Sequence, residues 1–288
     1  MYQILQTRQL TPVTRLYVID APLVARSARP GQFIILRVGD TGERIPVTIT
    51  DFDPVAGTVT IVVQAVGKTT RWLAELQAGD ALHDFAGPLG HPVELPDRGR
   101  VALVGGGFGT AAILTIAKAL AVRPGVKTDA IVGARTAELL ILADEVSAAV
   151  DRFLPCTDDG SAGYQGFVTG LLKEKIDAGE GYDLVLAIGP MPMMRAVAEV
   201  TRPYRIHTLA SMDPIMLDGT GMCGACRVRV AGENRFACVE GPFFDAHEVD
   251  FVEVTRRNKM YKTEEKVALE RFESEHQCQC HKTPVANA

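Results

Sequence analysis

Residues 101–122 read VALVGGGFGTAAILTIAKALAV, an apolar segment in which four of the five residues 105–109 are glycine. The segment is long enough for a membrane span, but glycine weakens a helix interior and Lys118 would lie within the bilayer. A buried strand, a tight turn and a helix ending near residue 122 account for all of these features. The turn contains Gly107-x-Gly109-x-x-Ala112, typical of dinucleotide-binding turns in which a helix N-terminus meets a pyrophosphate. A strand-to-helix turn without a ligand is the alternative for this motif alone.

The segments that follow continue the alternation of strand and helix. Apolar runs at 129–133 and 184–189 predict further buried strands, with helical segments between them. This order predicts a parallel sheet with crossover helices, an NAD(P)-binding α/β domain over residues 97–210. Turns after these strands fall at the carboxyl edge, where such sheets bind ligands. The candidate nucleotide-binding residues at this edge are Gly106, Gly107, Gly109, Thr110, Arg135, Asp159, Gly189 and Pro190.

Residues 1–96 show a different pattern. Short β-rich runs bounded by Gly, Pro or Asp predict a small antiparallel barrel, interrupted by one helix near 70–76. Two segments of this barrel carry groups that suit a phosphate-bearing cofactor. Arg44–Thr48 places a cation and a hydroxyl beside a strand, and Gly67–Thr70 brings N–H groups and hydroxyls to the start of the helix. Each segment could equally be an ordinary loop.

Residues 211–250 are rich in Gly and Cys and too few for a large core, so we interpret them as a module built on a metal centre. Residues 218–238 read DGTGMCGACRVRVAGENRFAC, which gives the spacing Asp218-x4-Cys223-x2-Cys226-x11-Cys238. The plant-type 2Fe–2S pattern begins C-x4-C-x2-C, so Asp218 stands where the first thiolate is expected. The glycines of this loop let backbone N–H groups approach inorganic sulfide. These four residues are the predicted metal ligands.

Two alternatives remain open for the cysteine segment. The three cysteines with His247 as a fourth ligand would form a zinc site, and the chain would then be a zinc-stabilised module that binds nucleotide as a regulatory ligand. Asp218 could also shape the loop without binding metal, because Asp-Gly is a common turn pair.

Composition excludes other classes of protein. The 30 Lys and Arg against 35 Asp and Glu give a net charge of −5, so there is no basic surface for nucleic acid. The 47% hydrophobic residues exclude wholesale disorder. Six cysteines are too few for a disulfide scaffold. The first ten residues lack the basic and apolar regions of a secretory signal, so we expect a cytoplasmic protein without a membrane span.

The C-terminal segment 251–288 is highly charged, and 264–275 could form a helix. Cys278 and Cys280 near its end are weak evidence for a metal site, because two cysteines one residue apart do not define one. We interpret this segment as a tail that is frayed or bound to a partner.

The order of these motifs resembles the ferredoxin reductase-like electron-transfer subunits that carry FAD and a 2Fe–2S cluster, over nearly the whole chain. RIPVTI (44–49) is similar to their flavin segment, VGKTT (66–70) to the flavin pyrophosphate loop, and VGGGFGTA (104–111) to the pyridine-nucleotide loop. The dihydroorotate dehydrogenase B subunits of this family have four cysteines at the cluster. An aspartate in the first place is more like the small subunits of NADH-dependent reduced ferredoxin:NADP+ oxidoreductase and of sulfide dehydrogenase.

The resemblance implies FAD, a 2Fe–2S cluster and NAD (or NADP) as cofactors. It also implies a role for each matched residue: Arg44, Pro46, Val47 and Thr48 lie at the flavin ring system, Thr69 and Thr70 at the flavin diphosphate with Gln64, Ala65 and Gly67 nearby, and Gly106, Gly107 and Gly109 at the nicotinamide nucleotide. The wider family often stacks a tyrosine on the flavin where this chain has Pro46. We expect no general base or nucleophile, because the cofactors carry the chemistry.

The implied function is that of an oxidoreductase subunit that passes electrons between NAD(H), FAD and the cluster. Its implied partner is a larger glutamate synthase-like flavoprotein with 4Fe–4S clusters, and ferredoxin would be reached through that complex. An electron-bifurcating ferredoxin:NADP+ oxidoreductase fits best. Dihydroorotate dehydrogenase B and sulfide dehydrogenase are the alternatives. NAD is favoured as the coenzyme, although Arg135 could meet the 2′-phosphate of NADP.

Overall fold

The computed structural model describes residues 1–280, and within them the chain forms two seven-stranded sheets and a two-stranded hairpin. The first sheet is antiparallel and belongs to the N-terminal part of the chain. The second is parallel except at one edge, with helices on both faces. This arrangement confirms the predicted fold class of a β barrel followed by an α/β domain.

The first sheet has the strand order β6-β1-β2-β5-β4-β3-β7. Its strands are β1 Tyr2–Thr11, β2 Thr14–Asp20, β3 Phe33–Arg37, β4 Ile45–Asp53, β5 Thr58–Gln64, β6 Ala81–Leu82 and β7 Asp84–Leu89, and its helices are α1 Pro22–Ser27 and α2 Lys68–Glu75. Alternate apolar residues of these strands, including Tyr17, Ile34 and Phe85, fill the interior with the buried Leu73 of α2. The Tyr17 hydroxyl donates to the Leu73 carbonyl over 3.0 Å, which fixes α2 across one end of the barrel.

The second sheet follows, with the hairpin inserted before its last strand. The remaining strands are β8 Arg98–Gly106, β9 Gly125–Ala134, β10 Arg152–Thr157, β11 Tyr164–Gln165, β12 Leu184–Ile188, β13 His207–Ser211, β14 Arg227–Val230, β15 Glu233–Phe236 and β16 Phe243–Asp245. The remaining helices are α3 Thr110–Ala121, α4 Ala143–Ser147, α5 Val168–Asp177, α6 Met191–Thr201, α7 Phe251–Arg257 and α8 Lys262–Cys280. The strand order is β11-β10-β9-β8-β12-β13-β16, so β8 lies at the centre.

Burial on both faces explains why the central strands are continuous apolar runs. Val101 and Leu103 of β8 pack with α3 and α4, whereas Ala102 and Val104 pack with α5 and α6. A parallel strand covered by helices on both sides needs apolar residues at every position. The run at 101–104 therefore lacks the polar alternation seen in the barrel.

The cysteine segment is not separate from the second sheet. β16 lies within residues 211–250, and it pairs antiparallel with β13 as the edge strand of that sheet. An isolated bridge between Val230 and Val249 ties the hairpin to the chain after β16. The small module therefore shares its support with the α/β domain.

The C-terminal segment forms α7 and α8. The Asp250 carboxylate accepts a hydrogen bond from the N–H of Glu253 and caps α7. The side chains of Cys278 and Cys280, and residues 281–288, lie outside what the structure describes. None of the helices within residues 1–280 combines the length and apolar character that a bilayer crossing requires.

Candidate redox site

The glycine turn after β8 opens into a cavity of about 570 Å³ between the two sheets. Five predicted residues line it: Gln64, Gly106, Gly107, Arg135 and Pro190. Gln64 comes from the end of barrel strand β5, and the other four come from the carboxyl edge of the parallel sheet. The cavity is therefore a meeting point for groups from both domains, with the volume of a small-molecule site.

Close packing at Gly109 sets the shape of the turn. A Cβ atom at this position would overlap the carbonyl oxygen of Ile188 and lie 2.6 Å from its carbonyl carbon. The start of α3 is thereby drawn against the end of β12. At Gly107, where φ is +53°, a Cβ atom would have no neighbour within 4 Å. Thr110 donates its hydroxyl to the Gly107 carbonyl over 2.9 Å, so its side chain closes the turn.

Asp159 shapes the loop after β10 and does not line the cavity. Its carboxylate accepts hydrogen bonds from the Ser161 hydroxyl (2.6 Å) and the Ser161 N–H (3.0 Å), and these bonds lower its pKa. The neighbouring Asp158 lines the cavity. When two acidic residues are adjacent, the sequence alone does not show which of them faces the cavity.

The predicted flavin segment lies on β4 and the turn before it. Pro46 is exposed, Val47 is buried in the barrel core and Thr48 is half-buried, as alternation along a strand requires. Arg44 is exposed on the turn. Val47 can therefore offer a cofactor only its backbone groups.

The start of α2 already holds a carboxylate. Thr69 donates its hydroxyl to Glu43 over 2.6 Å, and the Lys68 ammonium lies 3.5 Å from the other oxygen of Glu43. Thr70 serves the turn itself, because its hydroxyl accepts the Gly67 N–H at 2.9 Å. Ala65 is tied to the first hairpin through its N–H and the carbonyl of Val13. A flavin diphosphate is also an anion, and the N-terminus of a helix favours anions. The residues at the start of α2 therefore fit FAD.

The cysteine loop brings two of the predicted ligands together. The Sγ atoms of Cys226 and Cys238 are 3.1 Å apart, both side chains are buried, and neither is in a disulfide. Burial, together with the adjacent thiol of Cys226, raises the pKa of Cys238 to about 12. Two packed thiols in such surroundings are a donor set that suits a thiophilic metal centre.

The other two predicted ligands lie on the segment just before Cys226 and β14. Cys223 is exposed, and the Asp218 carboxylate accepts the N–H groups of Thr220 (3.0 Å) and Cys223 (3.1 Å). Within residues 1–274, whose side chains are described, no three potential ligands converge on one point. Cys226 and Cys238 are thus the preassembled half of the site. The residues present fit a 2Fe–2S cluster in number and spacing, with the Asp218 carboxylate in the place of one thiolate.

His247 is engaged elsewhere. Its Nε2 lies 3.0 Å from the Thr201 hydroxyl at the end of α6, and burial lowers its pKa. The structure therefore does not bring His247 to the cysteines as the zinc interpretation requires. A cation from α7 reaches the loop instead, because Arg257 donates to the Ala225 carbonyl over 3.0 Å.

The cysteine loop packs directly on the barrel. A Cβ atom at Gly219, where φ is +77°, would lie 2.7 Å from Ile35 of β3 and 2.8 Å from Leu89 of β7. The backbone adds a second connection, because the Gly90 N–H donates to the Cys238 carbonyl over 3.1 Å. These contacts place a predicted metal ligand next to the end of the barrel sheet.

Several cavity residues escape prediction from the sequence. Thr11, Val13 and Thr14 reach the cavity from the first hairpin, and Phe167 and Met193 reach it from the starts of α5 and α6. These are common residue types in ordinary turns, so no local signal marks them. Only their position, at the carboxyl edge of the sheet or on a hairpin beside β5, indicates that they line the cavity.

The chain is similar to several known proteins. Residues 213–250 match the family described as the iron–sulfur cluster binding domain of dihydroorotate dehydrogenase B. The electron transfer subunit homolog of that enzyme in Thermotoga maritima is 45% identical over 254 residues, 88% of this chain and 89% of the relative. The electron transfer subunit of Geobacillus thermodenitrificans is 33% identical over 85% of this chain and 96% of its own length.

Among solved structures, this chain is similar to one from the NADH-dependent reduced ferredoxin-NADP oxidoreductase, a structure described in terms of flavin-based electron bifurcation. The TM-score is 0.89, with 42% identity over 94% of this chain and 98% of the other.

Proposed function

The chain belongs to the family of dihydroorotate dehydrogenase B electron-transfer subunits, and from that premise we propose that it carries electrons between NAD(H) and a larger flavoprotein in an electron-bifurcating ferredoxin:NADP+ oxidoreductase. As a member of this family it is an oxidoreductase subunit of flavin and iron–sulfur electron transfer. The bifurcating assignment rests on the similarity to that oxidoreductase along nearly the whole chain, and on Asp218 in place of the first cysteine.

The packing of the cysteine loop on β3, the strand next to the flavin segment, carries the proposal. Ile35, which meets Gly219, is the antiparallel partner of Pro46. Opposed residues of such a pair have Cα atoms about 4.5–5.5 Å apart. The predicted metal loop and the predicted flavin position are therefore on neighbouring strands. Transfer of single electrons needs such a short separation.

The residues of this chain position the cofactors. When bound, FAD takes electrons in pairs from a nicotinamide and releases them singly, which connects two carriers that cannot exchange directly. The turn at 106–110 orients the dinucleotide, and Lys68 and Thr69 hold the flavin diphosphate. Gln64 extends from the flavin-binding barrel into the nucleotide cavity, where the two sites meet.

A group of exposed apolar side chains beside the cluster supports a docking role. Leu217, Met222 and Val239 are 57%, 89% and 42% exposed, and they flank the loop that carries the ligands. Exposed apolar side chains grouped at a functional loop indicate a protein interface. We assign this surface to a larger glutamate synthase-like flavoprotein with 4Fe–4S clusters, through which ferredoxin would exchange electrons.

We place the complex in the cytoplasm and favour NAD as its coenzyme. None of Cys156, Cys223, Cys226 and Cys238 is in a disulfide, which suits a reducing compartment. Arg135 lines the nucleotide cavity and is the residue to test for a contact with a 2′-phosphate.

Anaerobic purification of the full chain with its co-purifying partner tests the proposed function. We expect a yellow-brown complex with FAD and iron in a ratio of about 1:2 for this chain, after subtraction of the partner's own content. NADH should bleach the flavin and produce an iron–sulfur EPR signal. A glutamate synthase-like partner supports the bifurcating assignment, whereas a dihydroorotate-oxidising barrel supports the pyrimidine enzyme. A colourless chain that contains zinc contradicts both.

Asp218→Cys tests the ligand set. We expect the cluster to persist with an altered EPR spectrum and a shifted potential, because a carboxylate oxygen is a harder donor than a thiolate. Asp213→Asn, five residues earlier and out of register with the motif, is the control and should leave the spectrum unchanged. An unchanged spectrum in Asp218→Cys would remove Asp218 from the ligands.

A further inference from the structure

Arg257, the last residue of α7, reaches the backbone of the cysteine segment. Its guanidinium donates to the Ala225 carbonyl over 3.0 Å. That carbonyl belongs to the peptide bond between Ala225 and Cys226, one of the two preassembled ligands. A positive charge therefore lies beside the backbone that carries the predicted metal ligands.

The packing of α7 sets the position of Arg257. Val254 of this helix is 1% exposed and belongs to the same apolar core as Cys226 and Cys238. Just before the helix, the Asp250 N–H donates to a carbonyl of β14 over 2.9 Å, which ties α7 to the hairpin. Because α7 is held at its start and packed in the core, its last turn has a defined place beside the cysteines.

The charge of Arg257 is not compensated by the protein. Among the residues whose side chains the structure describes, it forms no ion pair, and its Nε–H is buried without a hydrogen-bond acceptor. Burial of an unpaired donor on a charged group is unfavourable. Attraction to the carboxyl end of α7 does not explain the burial, because Arg256 lies at the same helix end and is exposed. The guanidinium therefore lacks an anion.

We propose that Arg257 is the counter-charge of the cluster and raises its reduction potential. The inference deepens the proposed function and rests on it. The predicted ligands are three thiolates and a carboxylate, which are all anions. One electron from the flavin reduces one Fe³⁺ to Fe²⁺ without breaking a bond to a ligand, so the site gains one negative charge. A fixed cation in partly buried surroundings stabilises the more negative state and so favours reduction.

An EPR-monitored redox titration of the full chain, with Arg257→Gln against wild type, tests this assignment. We expect the ratio of reduced to oxidised cluster at a given applied potential to fall about tenfold, a decrease of about 59 mV for one electron. Arg257→Lys keeps the charge and should keep most of the potential. Arg256→Gln removes the adjacent exposed arginine of the same helix. It is the matched control and should leave the potential unchanged.

The sign of the shift separates a role in charge from a role in structure. If Arg257 only held the cysteine segment in place, its loss would admit water, which also stabilises the more negative state and would raise the potential. An unchanged or raised potential in Arg257→Gln would overturn the inference, as would an equal decrease in Arg256→Gln.

Iron content gives a second measurement. If Arg257→Gln retains no iron, Arg257→Lys decides: a retained cluster supports the need for a charge, and a lost cluster overturns the inference. A wild-type chain that shows no 2Fe–2S EPR signal would instead overturn the proposed function.

Discussion

Gly109→Ala should lower the free energy of unfolding by about 3 kcal/mol, at the upper end of the usual range for overpacking, and should remove measurable NADH binding. The added methyl group would overlap the carbonyl oxygen of Ile188 and lie 2.8 Å from the Cα of Gly189. Both neighbours are backbone atoms at the end of β12, so no side-chain rotation can relieve the overlap. The turn must move away from β12, and the start of α3, where we propose that the dinucleotide binds, moves with it.

Denaturant unfolding and NADH titration of the same protein measure the two effects. Gly181→Ala is the matched control, because a Cβ atom there has no neighbour within 4 Å. It should leave both quantities near wild type. A Gly109→Ala protein that retains wild-type NADH affinity would show that the turn does not hold the dinucleotide.

The fold was largely predictable because its central elements carry local signals. The apolar run of β8, the glycine turn and α3 follow from consecutive residues whose burial is set by the strands and helices beside them. β1 has no such signal, since polar residues dominate its sequence and half of its side chains are exposed. β16 is only three residues long and joins the second sheet through pairing with β13, a contact that local sequence does not encode.

Part of the candidate site could also be predicted from local sequence, and part could not. Spacing identifies Cys223, Cys226 and Cys238 as a set, because the first two are close in sequence and a short hairpin returns the chain to the third. Spacing does not show that the loop rests on Ile35, which lies far away in sequence. That contact depends on how the cysteine segment packs on the barrel, and it connects the predicted metal loop to the predicted flavin position.

Cys226→Ala should abolish the iron–sulfur EPR signal and reduce iron in this chain to background, while FAD stays bound and NADH still bleaches it. The Cys226 side chain is 2% exposed, with its sulfur 3.1 Å from that of Cys238, so alanine removes one of the two preassembled donors. The barrel residues that we propose hold the flavin are untouched, because the cysteine segment meets the barrel through Gly219 and the Cys238 carbonyl and not through the Cys226 side chain. Electron delivery to the partner should therefore fail with the flavin half intact.

Cys156→Ala separates loss of the cluster from loss of any buried thiol. Cys156 is fully buried on β10, and burial alone raises its pKa to about 12. Its sulfur has no role in the proposed site, so this variant should keep the EPR signal and the transfer of electrons to the partner. If Cys226→Ala kept wild-type transfer to the partner after its iron was gone, electrons would leave the flavin by another route. The packing of the cysteine loop against Ile35 would then serve stability alone.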